Sequence, residues 1–214
     1  MKQFLVIVMM IVSFAGISQN SGKAKALLDE VYNKVNSYDN IFVDFKYALS
    51  NTKENIYQET RGDVTIQKNK YYFNYLGATQ IYDGKKIYTI VPENEEVTIE
   101  NKDEAEEGTI TPSKMLTFYR NGYNYDWDIL QNVKGRQIQY VELTPIDSNS
   151  EIKQILLGID AKTKHIYNLI ETGKNGTKTT ITVNSFKTNQ PISKTLFTFD
   201  AKKYEDDGYY IIRN

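Results

Sequence analysis

From Ile41 onward the chain carries a hydrophobic period of two, and that period dictates a sheet. Ile41, Val43, Phe45, Tyr47 and Leu49 share one side of an extended segment, while Asp44, Lys46 and Ser50 share the other. This is the pattern of a strand with one buried face. Asn51 to Asn55 is a polar turn, and Ile56 to Gln67 returns with Val64 and Ile66 opposite Asp63, Thr65 and Gln67. A Lys68-Asn69-Lys70 turn leads into alternating Tyr71, Phe73 and Tyr75. Gln80 to Tyr82 and Lys86 to Val91 flank Asp83-Gly84, a pair that accepts positive φ and marks a hairpin. Glu96 to Glu100, Gln137 to Thr144, Glu151 to Asp160, His165 to Glu171, Lys178 to Phe186 and Thr195 to Phe199 read as further strands. Asn175-Gly176 is a second hairpin turn, and Tyr209 to Ile212 is a candidate terminal strand.

Two segments break this period. Between residues 21 and 36, Leu27, Leu28, Val31 and Val35 form one helical stripe, with Ser21 as a candidate N-cap. Midway, Thr111-Pro112 reads as an N-cap followed by Pro at the first helical position. Met115, Leu116 and Tyr119 give that short helix an apolar face, and Asn121-Gly122 ends it. The expected fold class is α+β: about ten or eleven antiparallel strands in a meander, an N-terminal helix, and an inserted helix covering one face. An unclosed barrel satisfies that description. The 17 Tyr and 9 Phe suit strands and supply large apolar area.

Residues 1–19 carry the three parts of a signal peptide: Lys2, the uncharged run Phe4 to Val12, and small residues up to Ser18-Gln19. The apolar run is shorter than the roughly 20 residues a membrane-crossing helix needs. Residues 20–214 are then expected to form a single exported domain. There is no cysteine, so no disulfide supports the fold and no thiol can take a bacterial lipid anchor. A soluble periplasmic protein is expected.

Chemistry is poorly signalled. The net charge of −1 gives no basic footprint for nucleic acid. His165, the single histidine, stands in Lys164-His165-Ile166-Tyr167, far from any Gly-flanked Ser, so no nucleophile–base pair is marked. No thiolate, zinc triad or phosphate-cradling glycine loop is present. The acidic run Asp103 to Glu107 lacks calcium-loop spacing and reads as solvated charge. No enzyme activity, cofactor or metal is expected. The aromatic strands admit two readings, an ordinary filled core or an apolar cavity enclosed by sheet and helices.

Several motifs in order resemble one family, the periplasmic outer-membrane lipoprotein carrier LolA. They are Asp39-Asn40-Ile41-Phe42-Val43-Asp44-Phe45; Gly62-Asp63-Val64 with Phe73-Asn74-Tyr75; and Tyr82-Asp83-Gly84-Lys85 with Tyr88 and Pro92. Thr111-Pro112, Met115-Leu116, Arg120-Asn121 and Asp126-Trp127 are similar to the lid segment, and Leu143-Thr144-Pro145 and Phe197-Thr198-Phe199 complete the order. The resemblance implies an unclosed β-barrel whose helices form a lid over an apolar cavity. It also implies acylated lipoproteins as cargo, an ATP-driven exporter in the inner membrane, an outer-membrane acceptor, and a monomeric carrier. With such a cavity, alternation places Val43, Phe45, Tyr47, Val64, Ile66, Phe73 and Tyr75 on its wall, and Met115, Leu116 and Tyr119 on the lid. A plain core built from the same residues is the other reading. The family often holds an arginine between its Gly-Asp and Phe-Asn strands that contacts the closed lid. Here Lys68-Asn69-Lys70 stands there, one residue longer, and Lys68 is the nearest candidate latch, without the planar fork of arginine.

Overall fold

The computed structural model describes residues 20–101 and 112–213. The expected signal peptide, the acidic run and the Thr111 cap lie outside the described residues. Within them, the first half of the sheet comprises β1 (Ile41–Asn51), β2 (Ile56–Gln67), β3 (Lys70–Tyr75), β4 (Ala78–Tyr82), β5 (Lys86–Val91) and β6 (Glu96–Asn101). The second half comprises β7 (Tyr123–Val133), β8 (Arg136–Pro145), β9 (Ile152–Asp160), β10 (Ile166–Gly173) and β11 (Lys178–Thr188). A last strand, β12, spans Tyr210–Arg213. All belong to one twelve-stranded sheet in the order β12-β6-β5-β4-β3-β2-β1-β11-β10-β9-β8-β7. It is two meanders stitched together by β1 and β11, which pair antiparallel from Ile41↔Thr188 to Ser50↔Lys178. The edge strands β12 and β7 do not pair with each other, so the sheet stays unclosed.

The helix α1 (20–36) packs on the inner face. Ala24, Leu27, Leu28, Val31 and Val35 are its buried stripe, at spacings that repeat every three or four residues. They join one core with Val43, Phe45 and Val64 from the first meander and Val141, Leu143, Leu157 and Ile159 from the second. Burying each such side chain contributes about 1.5–3 kcal/mol, so this shared core holds the helix and both meanders as one body. The helix is already formed at residue 20, so Ser21 lies inside it and is not its N-cap.

Four further expectations from the sequence need correction. The inserted helix is shorter than its apolar face suggested: α2 covers only Pro112–Met115, and a 3-10 turn follows at Phe118–Arg120. The strand β7 is absent from the expected set, because its register against β8 shifts between Trp127 and Leu130 and hides the alternation. Such a bulge adds a residue to one strand and interrupts the period of two. Thr195 to Phe199 is not a strand but a run of turns, with Leu196 N donating to Ser193 O and Thr198 N to Thr195 O. It leads into α3 (Ala201–Asp206), which is capped by the Asp200 carboxylate accepting from Lys203 N. Finally, β12 runs parallel to β6, so the sheet is not wholly antiparallel.

That C-terminal segment covers the outer face. Tyr72, Tyr88, Ile81 and Ile99 point away from the main core and form a second cluster with Phe199, Tyr204, Tyr209 and Ile211. Phe199 stacks on Tyr88 at 4.6 Å and on Tyr204 at 5.2 Å. Next to it the outer face is polar. Asp63 accepts from Asn74 Nδ2 at 3.1 Å, Asn74 Oδ1 accepts from Thr79 at 2.8 Å, and Asp44 accepts from Asn184 at 2.8 Å. The polar residues of the Gly-Asp and Phe-Asn motifs are therefore cross-strand ties on the side away from α1 and α2.

Candidate functional site

On the inner face, α2 lies against β2 and β3 and helps roof a cavity of about 380 Å³. That volume falls within the roughly 300–1,000 Å³ of ordinary ligand pockets. Val43, Phe45 and Tyr47 of β1, with Val64 of β2, form one wall. Pro112, Met115, Leu116 and Phe118 form the roof, and Tyr123 stands at the start of β7. The opposite wall comes from the second meander: Ile152, Ile155, Leu157, Ile166, Leu169, Ile181, Val183 and Phe186. Two polar side chains, Glu171 and Thr179, complete the lining among the described residues. A surface of this kind has nothing to hydrogen-bond along most of its length and suits a hydrocarbon chain.

The sequence-predicted wall divides in two. Val43, Phe45, Tyr47 and Val64 line the cavity. Ile66 is buried in the core beside it, while Phe73 and Tyr75 pack behind Phe45. The rings of Phe45 and Phe73 stack at 6.2 Å, Phe73 and Tyr75 at 5.8 Å, and Tyr47 meets Tyr75 edge-on at 5.5 Å. Burial, followed by the neighbouring Tyr47, pushes the Tyr75 hydroxyl up to about 12. Gly62 makes it possible. A Cβ there would lie 2.5 Å from Phe45 Cζ and 2.7 Å from the Asn74 carbonyl oxygen, so only glycine lets the Phe45 ring lie across β2.

Met115 and Leu116 line the cavity from the roof, but Tyr119 does not. Tyr119 is wholly buried in the core, and its hydroxyl has no hydrogen-bond partner among the described residues. Lys68 sits in the β2–β3 turn at φ 55°. It is exposed, does not line the cavity, and forms no ion pair among the described residues. A different cation ties the lid segment down. Arg120, at the end of the 3-10 turn, donates to Asp29 of α1 at 2.6 Å and lies 4.2 Å from the ring centre of Tyr32. Beside it, Tyr125 Oη donates to Tyr119 O at 2.8 Å.

Sequence reasoning missed the wall from β9, β10 and β11. The two-residue spacing of Leu169 and Glu171, and of Ile181 and Val183, marks an inward face. Nothing local says that β11 is the neighbour of β1. His165 serves packing: it stacks on Phe186 at 4.1 Å, and its Nε2 is 2.7 Å from Tyr38 Oη. Burial and then the Lys34 charge hold its pKa below the usual imidazole value. No cluster of metal-ligating side chains occurs among the described residues.

Comparison with known proteins bears on this geometry. Residues 36–200 match the sequence profile of the family described as outer membrane lipoprotein carrier protein LolA. An outer-membrane lipoprotein carrier protein of Pseudomonas fluorescens (strain Pf0-1) is 28% identical over 153 residues, covering 70% of this chain and 72% of that protein. Among solved structures, an uncharacterized conserved protein of Thermus thermophilus superposes with a TM-score of 0.57 at 9% identity. That match covers 90% of this chain and 99% of the other. The lipoprotein LppX of Mycobacterium tuberculosis superposes with a TM-score of 0.50 at 14% identity, covering 79% and 98% respectively. At such identities these two structures speak to the fold alone.

Proposed function

Since the chain belongs to the LolA family of outer membrane lipoprotein carrier proteins, we propose that its cavity holds the acyl chains of lipoproteins and shields them between the inner and outer membranes. The observation that carries this reading is a roofed cavity of about 380 Å³ whose lining is apolar except for Glu171, Thr179 and the hydroxyl tips of Tyr47 and Tyr123. Burial is worth about 0.8 kcal/mol per methylene, so a sixteen-carbon chain left in water costs roughly 12 kcal/mol. A carrier that removes this cost needs no covalent chemistry. It needs an apolar wall and a roof that opens, with cargo shifting the balance between closed and open states.

In this reading Val43, Phe45, Tyr47 and Val64 contact the acyl chain together with the β9–β11 wall. Met115 and Leu116 move with the lid. The Arg120–Asp29 contact restrains that movement from the helix side, and Lys68 is free to restrain it from the turn side. The chain works as a monomer in the periplasm after loss of residues 1–19. It receives cargo from an ATP-driven exporter and yields it to an acceptor at the outer membrane.

The test is purification from native periplasm, with mass spectrometry of what travels with the protein, beside the Val183→Trp variant. Val183 lines the cavity and is only partly buried, so an indole there fills space without displacing the core. Acylated lipoproteins recovered with the natural protein and lost with the variant support the reading. Phospholipid alone points to a lipid-binding role on the same scaffold. An empty protein that binds no fatty-acid probe refutes both.

A further inference from the structure

The cavity is not uniform along its length. The strands β10 and β11 run antiparallel, with Glu171 paired to Thr179 and Leu169 to Ile181. Glu171 also pairs across to Ile155 of β9. Glu171, Thr179 and Tyr123 thus gather at one end of the lining, while Ile166, Phe186 and Val43 lie toward the other. The stretch from Thr179 to Phe186 spans roughly 20 Å of strand. One end of an otherwise hydrocarbon-lined space carries a carboxylate.

That carboxylate has no partner among the described residues. Glu171 is only partly exposed and forms neither a hydrogen bond nor an ion pair there. Burial raises its pKa, and its charge is felt by the neighbouring Tyr123 hydroxyl. A half-buried acid left unpaired in an apolar wall costs stability. A wall that served only to hold methylenes would be better lined there by Leu or Ile.

Taking the acyl-carrier reading as its basis, we propose that Glu171 is a specificity-determining residue that receives a protonated amine carried close to the ligand's acyl chains. The cation would supply the missing partner through charge-assisted hydrogen bonds, which are stronger than neutral ones. Thr179 and Tyr123 hydroxyls stand beside it to accept the remaining N–H groups. The chemistry selected is two features in one molecule: long apolar chains, and an ammonium group a few atoms from where they join. A diacylated lipoprotein whose terminal α-amino group is free has this form, and so does an ethanolamine phospholipid. An N-acylated lipoprotein terminus lacks the cation, and a phosphatidylglycerol lacks the amine.

The test measures displacement of a neutral long-chain fluorescent probe by hexadecylamine, hexadecanol and hexadecanoate. The protein should prefer the amine to the alcohol by roughly tenfold or more, the scale of one charge-assisted hydrogen bond. In Glu171→Gln the amine-to-alcohol ratio should fall to near one, and in Glu171→Asp part of the preference should return. Urea unfolding of each variant checks that it is folded. Equal affinity for amine and alcohol in the natural protein, or a preference that survives in Glu171→Gln, overturns the proposal. Two further pairs identify the source of the amine: a diacyl lipopeptide with free or acetylated α-amine, and phosphatidylethanolamine against phosphatidylglycerol. Discrimination within either pair supports the amine site and names its ligand, and discrimination in neither overturns it. Failure of the neutral probe to bind at all would instead sink the carrier reading on which this rests.

Discussion

The close approach of Phe45 to Gly62 allows one prediction to be worked through in detail. In a strand interior, glycine is normally a weakness, and replacing it by alanine should gain about 0.5–1 kcal/mol. At position 62 the sign reverses. The added methyl group would stand 2.5 Å from Phe45 Cζ and 2.7 Å from the Asn74 carbonyl oxygen. The ring cannot swing aside freely, because Phe73 stacks on it and Tyr75 lies tilted against it, each at 6.2 Å. The carbonyl belongs to the β2–β3 ladder, where Gly62 pairs with Tyr75 and Asp63 with Asn74. Forcing extra volume into such a site costs about 1–3 kcal/mol, so Gly62→Ala should lose roughly 1–2 kcal/mol net. With a urea slope of about 1–3 kcal/mol/M, the midpoint should fall by somewhere near 0.5–1 M. Trp127, the single tryptophan, reports the transition by fluorescence. Phe45→Ala alone should cost about 3–5 kcal/mol. In that background Gly62→Ala should cost distinctly less, because the ring overlap is gone and only the carbonyl overlap remains. Strict additivity of the two substitutions, or a stabilised Gly62→Ala, would refute the claim that glycine is required for the aromatic stack.

Three more predictions concern buried polar groups. Tyr119→Phe removes a buried hydroxyl with no partner among the described residues, so it should be neutral or stabilising by up to about 1 kcal/mol; a clear loss of stability would show that the hydroxyl is bonded in solution. For Asp160, burial acts to raise the pKa, but donation from Thr163 N, Arg136 and Lys162 N outweighs it and brings the value down to about 2. The ionised side chain therefore contributes stability present above the ordinary carboxylate value near 3.8 and lost as pH falls through about 2. At about 1.4 kcal/mol per unit, Asp160→Asn should cost on the order of 2 kcal/mol at pH 7, and urea midpoints of the two proteins should converge near pH 2. Glu171 has the opposite sign: its folded pKa is raised above 4.5 by burial. Its protonated form adds stability below the unfolded value, and that gain is lost as pH rises through the folded value. Glu171→Gln should accordingly be more stable than the natural protein at pH 7 in the absence of ligand, and thermal melts that show the reverse would mean the carboxylate has a partner.

How much of this could be read in the sequence depended on how local each feature is. Where the period of two runs unbroken, as from Ile41 to Leu49 and through Val64 and Ile66, both the strand and its inward face were legible. The pattern failed at β7, where the bulge between Trp127 and Leu130 breaks the alternation. It misled at Thr195 to Phe199, where Phe197 and Phe199 alternate but point into packing formed by turns. Alternation also reports only which face a residue takes. It placed Val43, Phe45, Tyr47 and Val64 on the lining, yet it could not separate them from Phe73 and Tyr75 on the same face, which are set back by stacking behind Phe45. The wall from β9 to β11 stayed out of sight for a stronger reason. Its position follows from the pairing of Ile41 with Thr188, and no short window of sequence encodes that contact.

The same pairing governs the order in which the molecule can assemble. The strands β1 to β6 are joined by short turns, and so are β7 to β11, so each meander needs only neighbours in sequence. The ladder between β1 and β11 needs segments far apart along the chain. Contacts of that separation close slowly, since loop entropy is spent before they return any energy. A chain emerging amino terminus first would complete the Val43–Phe45–Val64 wall while β11 had yet to appear. In that interval the apolar face that later grips an acyl chain stands open to solvent and to other chains. The seam that creates the cavity therefore also makes the half-built protein an aggregation hazard, one that a holding factor would have to cover until Thr188 reaches Ile41.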